Sequence, residues 1–448
     1  MIKSDTIVAA ATAHGHAGIA VVRISGNKAL DLARKIFGSV NKNACPVLKH
    51  GRVFPGAIYW KGQLVDRVLG TVFKAPRSYT GEDTFEISCH GNPLVVEKVL
   101  RCAIESGARP ANPGEFTRRA FLNNKMDLVQ AEAVAHLIHA DSDQAYRIAL
   151  DHLQGTLSQR YTLLKEKLTS LLCGIEAAID FPEEEVPLFN PASGKKELAF
   201  IKGIISAMIA SYQTGKKIAQ GVRVAIIGPP NAGKSSLFNA LCEKERVIVH
   251  EHPGTTRDTV EETITIEGMK ITLIDTAGIW KSSNPVEARG IARAKDAAKR
   301  ADLSLVVFDA GKPCAKNEAG LFSAISTSER IVVCNKADLK HVRTCHGLLV
   351  SAKTGQGITR LKKMIMSRIV ARTSDGAQEI LVSERQRDIL TAMAAHIDSC
   401  MSLAKNQGGE ELYAFELRQA LNLLGRITGD VSDDDILNTI FNTFCIGK

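Results

Sequence analysis

The residues best suited to chemistry form a glycine-rich octapeptide. Residues 228–235 read Gly-Pro-Pro-Asn-Ala-Gly-Lys-Ser and directly follow the apolar run 222–227. A strand that enters such a loop and then a helix presents backbone N–H groups and a helix N-terminus to an anion. Lys234 is expected to reach the outer phosphates of a nucleotide, and Ser235 is expected to hold Mg²⁺. The other predicted phosphate-loop residues are Asn231, Ala232, Gly233 and Ser236.

A second motif, Asn335-Lys336-Ala337-Asp338, identifies the base. The Asp338 carboxylate can accept hydrogen bonds from the ring N–H and the exocyclic amine of guanine, a donor pair that adenine lacks. Further on, Ser351, Ala352 and Lys353 follow a short apolar strand and are expected to close over the guanine. The sequence therefore predicts GTP binding, with Asn335, Lys336 and Asp338 on the base side.

Two more segments are expected to approach the γ-phosphate and the metal. The first is Gly254-Thr255-Thr256-Arg257-Asp258, in which Thr256 would complete Mg²⁺ coordination. The second is Asp275-Thr276-Ala277-Gly278 at the end of a strand. Here Asp275 would lie near Mg²⁺ without binding it directly, and the Gly278 N–H would face the γ-phosphate.

The residue that activates water is not obvious. Ras-like GTPases place a Gln just after Asp-Thr-Ala-Gly, but Ile279 stands here and cannot orient water. Glu287, twelve residues beyond Asp275, is the candidate. The alternative is that Glu287 only stabilises the first turn of a helix through the helix dipole.

Bulk properties limit the class of protein. A chain of 448 residues with 45% hydrophobic residues predicts about three domains with sizeable cores. No run approaches the roughly 18 apolar residues of a membrane span, and the first residues lack the apolar core of a signal peptide. Ten cysteines without a Cys-x-x-Cys pair favour a reducing, cytoplasmic compartment. The net charge of +9 favours a polyanionic partner.

The elements that position these motifs follow from residue patterning. Residues 1–118 mix short β-rich runs with helical stretches and predict a compact α/β domain. Helical periodicity dominates 119–220 and returns in 372–448, while 221–371 alternates strands and helices. The predicted fold class is therefore α/β plus all-α, with a discontinuous helical domain interrupted by an inserted Ras-like P-loop G domain.

The whole chain resembles the MnmE (TrmE) family of tRNA-modifying GTPases. The segments outside the G domain that carry the resemblance are Asp5-Thr6-Ile7-Val8-Ala9, Arg23-Ile24-Ser25-Gly26, Ser78-Tyr79-Thr80-Gly81-Glu82-Asp83, Pro113-Gly114-Glu115-Phe116-Thr117, Lys125-Met126-Asp127-Leu128, Gln130-Ala131-Glu132-Ala133 and Asp180-Phe181-Pro182-Glu183-Glu184. The terminal Phe444-Cys445-Ile446-Gly447-Lys448 is the most distinctive.

The resemblance implies a concrete activity. The N-terminal domain would bind a tetrahydrofolate derivative, in the 5-formyl or methylene form, and form a homodimer. With the FAD-dependent partner MnmG, the family installs an aminomethyl-type group on C5 of the wobble uridine of tRNA, and the folate supplies the carbon. K⁺ stimulates GTP hydrolysis and takes the place of an arginine finger.

The resemblance also assigns residues. Glu287 matches the catalytic glutamate, and Cys445 matches a C-terminal cysteine that is either a nucleophile or a positioning residue. The implied folate contacts are Arg23, Glu86, Lys125 and Lys448. The implied K⁺ ligands are Asn231, His250, His252 and Thr255, the last three in the loop Val249–Thr256. His250-Glu251-His252-Pro253 departs from the usual Thr-Asp-Ile-Ala, so backbone carbonyls would have to supply K⁺ ligands at 250 and 252.

Two other functions remain open at this stage. One is a ribosome-assembly GTPase, although the sequence shows no KH-type or S1-like RNA-binding segment beside the G domain. The other is a folate-dependent aminomethyltransferase whose GTPase is only regulatory.

Overall fold

The chain folds into two compact units, each described here by itself. The computed structural model describes residues 5–38, 49–180, 191–243, 260–275, 300–312, 329–339, 347–370, 380–403, 409–431 and 434–448. The first unit comprises Met1–Ile138, Asp151–Pro182 and Ala414–Lys448. The second comprises His139–Leu150 and Glu183–Tyr413.

A seven-stranded sheet with the order β3-β4-β5-β6-β2-β1-β7 organises the first unit. Its strands are β1 (Ile7–Ala10), β2 (Ala17–Ser25), β3 (Phe37–Gly38), β4 (Val53–Trp60), β5 (Gln63–Phe73), β6 (Thr84–Gly91) and β7 (Arg109–Pro110). Pairing is antiparallel except between β1 and β7. Strand β2 lies beside β6 with Arg23 opposite Glu86, which places two predicted ligand contacts side by side.

Two helices cover this sheet, α1 (Ala29–Ile36) and α2 (Pro93–Glu105). Helix α2 begins where Asn92 accepts a hydrogen bond from the Leu94 N–H (2.9 Å) and Pro93 takes the first helical position. The apolar faces of both helices pack on Ile24, Phe85 and Ile87 to form a continuous core.

The remaining helices of the first unit are α3 (Glu115–Leu122), α4 (Leu128–Ile138), α6 (Thr156–Asp180) and α12 (Asp434–Phe441), together with most of α11 (Glu410–Thr428). Residues of α4 and α12, with Phe444, share a small apolar core. Buried Arg119 on α3 donates to the carboxylates of Asp5 (2.6 Å), Glu82 (3.1 Å) and Glu115 (3.1 Å). Because a buried cation must be paired, this network fixes three distant segments beside one another.

A six-stranded sheet with the order β13-β12-β11-β8-β10-β9 organises the second unit. Its strands are β8 (Val222–Ile227), β9 (Val260–Ile266), β10 (Met269–Asp275), β11 (Leu303–Asp309), β12 (Glu329–Asn335) and β13 (Leu348–Leu349). All neighbouring pairs are parallel except β9 with β10. Strand β8 lies between β10 and β11, so the strand order changes direction there; ligands of open α/β sheets bind at this point, at the carboxyl ends of the strands.

The helices of the second unit are α7 (Pro191–Gln220), α8 (Lys234–Cys242), α9 (Ile358–Val370) and α10 (Glu384–Leu403), and α5 (Asp143–Leu153) begins in it. The two-residue turn between β9 and β10 has positive φ at Glu267 (49°) and Gly268 (76°), as a tight hairpin requires.

This hairpin docks on α5. Gln144 donates through its backbone N–H to the Gly268 carbonyl (3.1 Å) and through Nε2 to the Glu267 carbonyl (3.0 Å). Lys270 Nζ contacts Asp141 Oδ2 at 2.6 Å, and Ala145 is buried in the core of the six-stranded sheet. Residues 139–150 are therefore part of the packing of the nucleotide-binding sheet.

The predicted fold class is confirmed: an α/β N-terminal region, helical segments and a P-loop sheet inserted between them. Strand β4 contains Pro55 and Gly56, residues that weaken a strand pattern, and it is held in the sheet by its pairing with β5. The domain boundaries stay predictions. Among the described residues, no helix has both the length and the apolar character needed to cross a membrane.

Candidate functional site

The predicted phosphate loop lies at the carboxyl end of β8, directly before α8. Asn231 (φ 61°) and Gly233 (φ 83°) both adopt left-handed backbone conformations, so the chain curls around the helix N-terminus. A Cβ at Gly233 would overlap the side-chain amide of Asn335. Glycine is required at this position because the loop turns sharply and another side chain lies against it.

Lys234 lies inside this loop and is almost fully buried. Its Nζ donates to the carbonyl oxygens of Gly228 and Pro229, both at 3.0 Å. Burial lowers the pKa of the Lys234 ammonium, and the negative charge of Asp275 opposes that effect. A buried cation held by weak carbonyl acceptors is well placed to bind phosphate oxygens instead.

Ser235 and Asp275 meet beside the loop. Asp275 ends β10, is 5% exposed, and accepts a hydrogen bond from Ser235 Oγ at 3.1 Å. A hydroxyl and a carboxylate at this separation fit the oxygen ligands and water-mediated contacts that Mg²⁺ uses beside phosphates. The structure thus brings together the two described residues predicted to act at the metal.

The base side is built on Asp338 and Ser351. Ser351 is buried, and its hydroxyl donates to Asp338 Oδ1 at 2.6 Å while accepting from the Thr354 N–H at 3.2 Å. This hydrogen bond is the main reason why the pKa of the exposed Asp338 carboxyl lies below its ordinary value. Asp338 is therefore ionised at neutral pH and accessible to a hydrogen-bond donor. Lys353, also predicted to contact the base, is exposed nearby and helps to lower that pKa.

Asn335 connects the phosphate side to the base side. It is 2% exposed, and its Nδ2 lies 3.2 Å from the carbonyl oxygens of both Ala232 and Gly233. Its Oδ1 accepts from the N–H groups of Lys336 (2.8 Å) and Ala352 (3.0 Å). One buried amide thus joins three segments that are distant in sequence.

Lys336 makes a second connection through a residue that the sequence reasoning missed. Its Nζ contacts the Asn231 carbonyl oxygen at 2.8 Å and Asp309 Oδ2 at 2.7 Å. Asp309 ends the buried strand β11. The sequence signal that could have identified Asp309 is its position as an acidic residue at the end of the apolar run 303–309. The carboxyl ends of such strands lie at the sheet edge that carries the nucleotide motifs. Ser236 and the Asn231 side chain, both predicted contacts, are exposed on the loop and α8.

Several predicted residues lie outside the described ranges. They are His250, His252, Thr255, Thr256, Thr276, Ala277, Gly278 and Glu287. Their roles stay predictions.

A separate cluster in the first unit contains three of the four predicted folate contacts. Arg23 Nε contacts Glu86 Oε1 at 2.7 Å, and the guanidinium lies 5.3 Å from the Tyr79 ring centroid. Lys448 Nζ lies 5.9 Å from the centroid of the same ring. Arg23 Nη1 is buried without a hydrogen-bond partner among the described residues. An unpaired buried donor of a charged group is costly, so this cluster fits an anionic or strongly accepting ligand.

The two cations of the cluster, Arg23 and Lys448, lie close enough for the charge of Arg23 to affect the pKa of Lys448. Burial and, secondly, the positive charge of Arg23 lower the pKa of Lys448, while Glu86 opposes them. The sequence reasoning did not assign a role to Tyr79, although the segment that contains it carries the family resemblance. Lys125, the fourth predicted contact, donates to the Pro76 carbonyl oxygen (3.1 Å).

The C-terminal turn positions Lys448. The Phe116 N–H donates to the Lys448 carbonyl oxygen (3.2 Å), and Gly447 has φ 102°. A Cβ at Gly447 would overlap the Ala10 carbonyl oxygen. The Cys445 carbonyl accepts from the Gly114 N–H at 3.4 Å, and the residue itself is exposed.

Comparisons with known proteins match the whole chain. A family model described as the MnmE helical domain matches residues 128–445, and one described as the N-terminus of the GTP-binding protein TrmE matches 6–125. A relative from Chlamydia felis, called tRNA modification GTPase MnmE, is 41% identical over 453 residues and covers 100% of both chains. A relative of the same name from Aquifex aeolicus is 39% identical over 452 residues, covering 99% of this chain and 100% of its own.

Solved structures match smaller parts of the chain and are more distant. The G domain of the T. maritima FeoB iron transporter is 29% identical, covers 34% of this chain and 99% of its own, and has a TM-score of 0.26. A variant of Aquifex aeolicus Era bound to GDP and AlF4⁻ is 24% identical, covers 39% of this chain and 66% of its own, and has a TM-score of 0.27.

Proposed function

The chain belongs to the MnmE (TrmE) family of tRNA modification GTPases, and from this premise we propose the reaction that its GTP hydrolysis serves. Together with the FAD-dependent partner MnmG, the chain adds an aminomethyl or carboxymethylaminomethyl group to C5 of the wobble uridine of tRNA. A tetrahydrofolate derivative, in the 5-formyl or methylene form, supplies the carbon.

The observation that carries the GTP part of this proposal is the arrangement around Asn335. Its buried amide holds the phosphate loop against the segment that contains Ser351 and Ala352. An ionised, accessible Asp338 lies at one end of this arrangement and a buried Lys234 at the other. A base-side acceptor and a phosphate-side cation on segments joined by one buried amide support a guanine nucleotide bound between them.

The hydrolytic step is assigned to the following residues. Ser235 and Thr256 would hold Mg²⁺, with Asp275 orienting Ser235. When bound, Mg²⁺ neutralises charge on the outer phosphates. Glu287 polarises the attacking water, directly or through a second water. The K⁺ ligands are Asn231, His250, His252 and Thr255, and a cation there would substitute for an arginine finger.

The folate part rests on the cluster around Tyr79. The unpaired Arg23 Nη1 and the Lys448 ammonium suit the glutamyl carboxylates of a folate, and Glu86 suits the hydrogen-bond donors of a pterin. The Lys125 ammonium donates to the Pro76 carbonyl and has two further N–H groups that can contact the ligand. Cys445 is exposed near the same C-terminal turn, as either a nucleophile or a positioning residue.

The assembly in this proposal is a homodimer that pairs with MnmG in the cytoplasm. The net charge of +9 is suited to tRNA.

Nucleoside analysis of tRNA tests the proposed reaction. A strain that lacks the chain should lose the C5 modification of wobble uridine and keep normal ribosomes, and restoring the gene should restore the modified nucleoside. Unchanged wobble uridines would contradict the proposal. A ribosome-assembly defect with intact modification would favour a ribosome-assembly GTPase.

A reconstitution experiment with purified components tests the remaining alternative, a folate-dependent aminomethyltransferase whose GTPase is only regulatory. If GTP hydrolysis were only regulatory, a hydrolysis-deficient Glu287→Ala variant would still modify tRNA in a single round with purified MnmG, the folate derivative, NADH and an amine donor. The proposal expects no modified product from that variant.

A further inference from the structure

A polar pocket lies at the edge of the six-stranded sheet opposite the phosphate loop. It has a volume of about 520 Å³ and is lined only by polar residues and glycine. Arg223, the second residue of β8, pairs in register with Thr272 in the middle of β10, and both residues line the pocket. Arg223 and Gly228 are five residues apart along β8, roughly 16 Å, so the pocket does not overlap the nucleotide site.

The pocket has a strong excess of positive charge. Five of its side chains are cationic and one is acidic, namely Lys216, Lys217, Arg223, Lys270 and Arg300 against Asp302. Two of the cations are paired with acids outside the pocket, Arg223 with Glu261 (2.8 Å) and Lys270 with Asp141 (2.6 Å). Within the described ranges, Lys216, Lys217 and Arg300 have no carboxylate in ion-pair contact.

Stabilisation by the helix dipole does not account for this cluster. Lys216 and Lys217 lie near the C-terminal end of α7, where cations are favoured. That effect would be satisfied by side chains extended into solvent, yet both lysines are partly buried in the pocket wall. Arg300 lines the same space from a different segment of the chain, so three cations face one pocket that holds a single carboxylate, Asp302.

The neutral residues of the pocket narrow the class of ligand. Gln213, Gln220 and Thr272 add amide and hydroxyl donors to the cations. The lining contains neither the apolar walls that enclose most small-molecule ligands nor an aromatic ring on which a base could stack. Cations and neutral donors without a stacking surface are the groups that contact the phosphates of a nucleic-acid backbone.

We propose that this pocket binds phosphate groups of the tRNA backbone through Lys216, Lys217 and Arg300. The inference rests on the proposed function, because that function brings tRNA to the chain. Backbone contacts of this kind fix the position and orientation of the RNA without reading its sequence. The pocket therefore holds the tRNA while the chemistry takes place elsewhere.

The test is the salt dependence of tRNA binding by the full chain. The variant Lys216→Gln/Lys217→Gln should bind tRNA about tenfold more weakly near physiological salt. The slope of log affinity against log salt should fall by roughly 1.5, because each lost phosphate contact removes about 0.7 to 0.9. GTP hydrolysis without tRNA should be unchanged.

Two matched variants complete the design. Lys195→Gln/Lys196→Gln removes the same charge from exposed positions on the same helix, roughly 30 Å from the pocket, and should bind tRNA almost as the parent does. Lys216→Arg/Lys217→Arg keeps the charge and should keep the salt slope. Equal losses in the pocket variant and in the Lys195 variant would overturn the proposal, as would no loss in either.

A second measurement distinguishes RNA from a small polyphosphate. With GDP saturating the nucleotide site, calorimetry with inorganic tripolyphosphate would detect a compact anion site. Tight tripolyphosphate binding that depends on Lys216 and Lys217, with tRNA affinity unaffected, would reject the RNA proposal. If the unsubstituted chain had no affinity for tRNA at low salt, the proposed function itself would be contradicted. If it bound tRNA with an affinity that does not depend on Lys216 and Lys217, only the placement of tRNA in this pocket would be contradicted.

Discussion

Asp338 is expected to select the base through a single hydrogen-bond pattern. The Asp338→Asn variant replaces an acceptor by an amide that donates, so GTP affinity should fall by about tenfold to 150-fold, the range of a hydrogen bond to a charged group. Affinity for xanthosine triphosphate should rise, because xanthine accepts where guanine donates. Competition binding with both nucleotides measures the change. Retained GTP preference would show that Asp338 does not contact the base.

Glu287 is the residue proposed to activate water. Glu287→Ala should bind GTP normally and hydrolyse it at least about a hundredfold more slowly, the scale of losing a catalytic positioning group. Single-turnover hydrolysis measures the chemical step without nucleotide release. Glu243→Ala, at an exposed position just after α8, serves as the control with ordinary turnover. Wild-type turnover in Glu287→Ala would exclude Glu287 from the reaction.

Lys448 gives the folate cluster an expected pH dependence. Its folded-state pKa is lowered, first by burial and then by Arg23, so rising pH removes its charge before an ordinary lysine would lose its own. Affinity for 5-formyltetrahydrofolate should therefore decline as pH rises, beginning below the usual lysine range near 10.4. Calorimetry between pH 7 and pH 10 measures the decline.

The controls for this measurement are charge-neutral variants. Lys448→Gln should be weaker at neutral pH and should lack the alkaline decline, whereas Lys49→Gln, at an exposed position, should retain it. An unchanged decline in Lys448→Gln would assign the titration to another group.

At the scale of elements, the C-terminal turn is held by backbone geometry rather than by a large apolar side chain. Gly447→Ala would force a Cβ against the Ala10 carbonyl at a φ of 102°, which we expect to cost roughly 1–3 kcal/mol. The turn should detach, Lys448 should leave the Tyr79 ring, and folate affinity should fall while GTP affinity is kept. Gly18→Ala is the matched control, because a Cβ there meets nothing within 4 Å. Equal folate affinity in both variants would contradict this role of the turn.

How far the sequence predicts these elements depends on whether the determining contacts are local. The phosphate loop was identified because strand, glycine and helix follow one another directly, and the Asp338 motif because its four residues are contiguous. The connection through Asn335 and the Asp309 contact of Lys336 involve segments 17 to 103 residues apart, which a single sequence does not reveal. The ion-pair network of Arg119 and the contact between Arg23 and the Tyr79 ring likewise join residues that are far apart in the sequence. Strand β4, which contains Pro55 and Gly56, depends in the same way on its pairing with β5 rather than on its own residue pattern.

At the scale of the whole molecule, the predicted boundary of the G domain at 221–371 excludes residues that belong to its core. Ala145 and Ile218 are buried in the same cluster as the sheet residues, and Ile148 packs against it. The hairpin turn at Gly268 also loses its partner Gln144 when residues 139–150 are absent. The boundary was predicted from the change between helical periodicity and alternating strands and helices, which does not report this packing.

The docked hairpin limits how this protein can be divided. An excised fragment of residues 221–371 should expose the apolar surface that Ala145 and Ile148 cover, bind a hydrophobic dye, and melt at a lower temperature than the same region in the intact chain. Dye fluorescence and thermal unfolding measure both effects; a dye-silent fragment with an unchanged melting temperature would contradict them. Residues 221–371 alone are consequently expected to be an incomplete folding unit, and fusing them into another protein would require a substitute for the α5 surface.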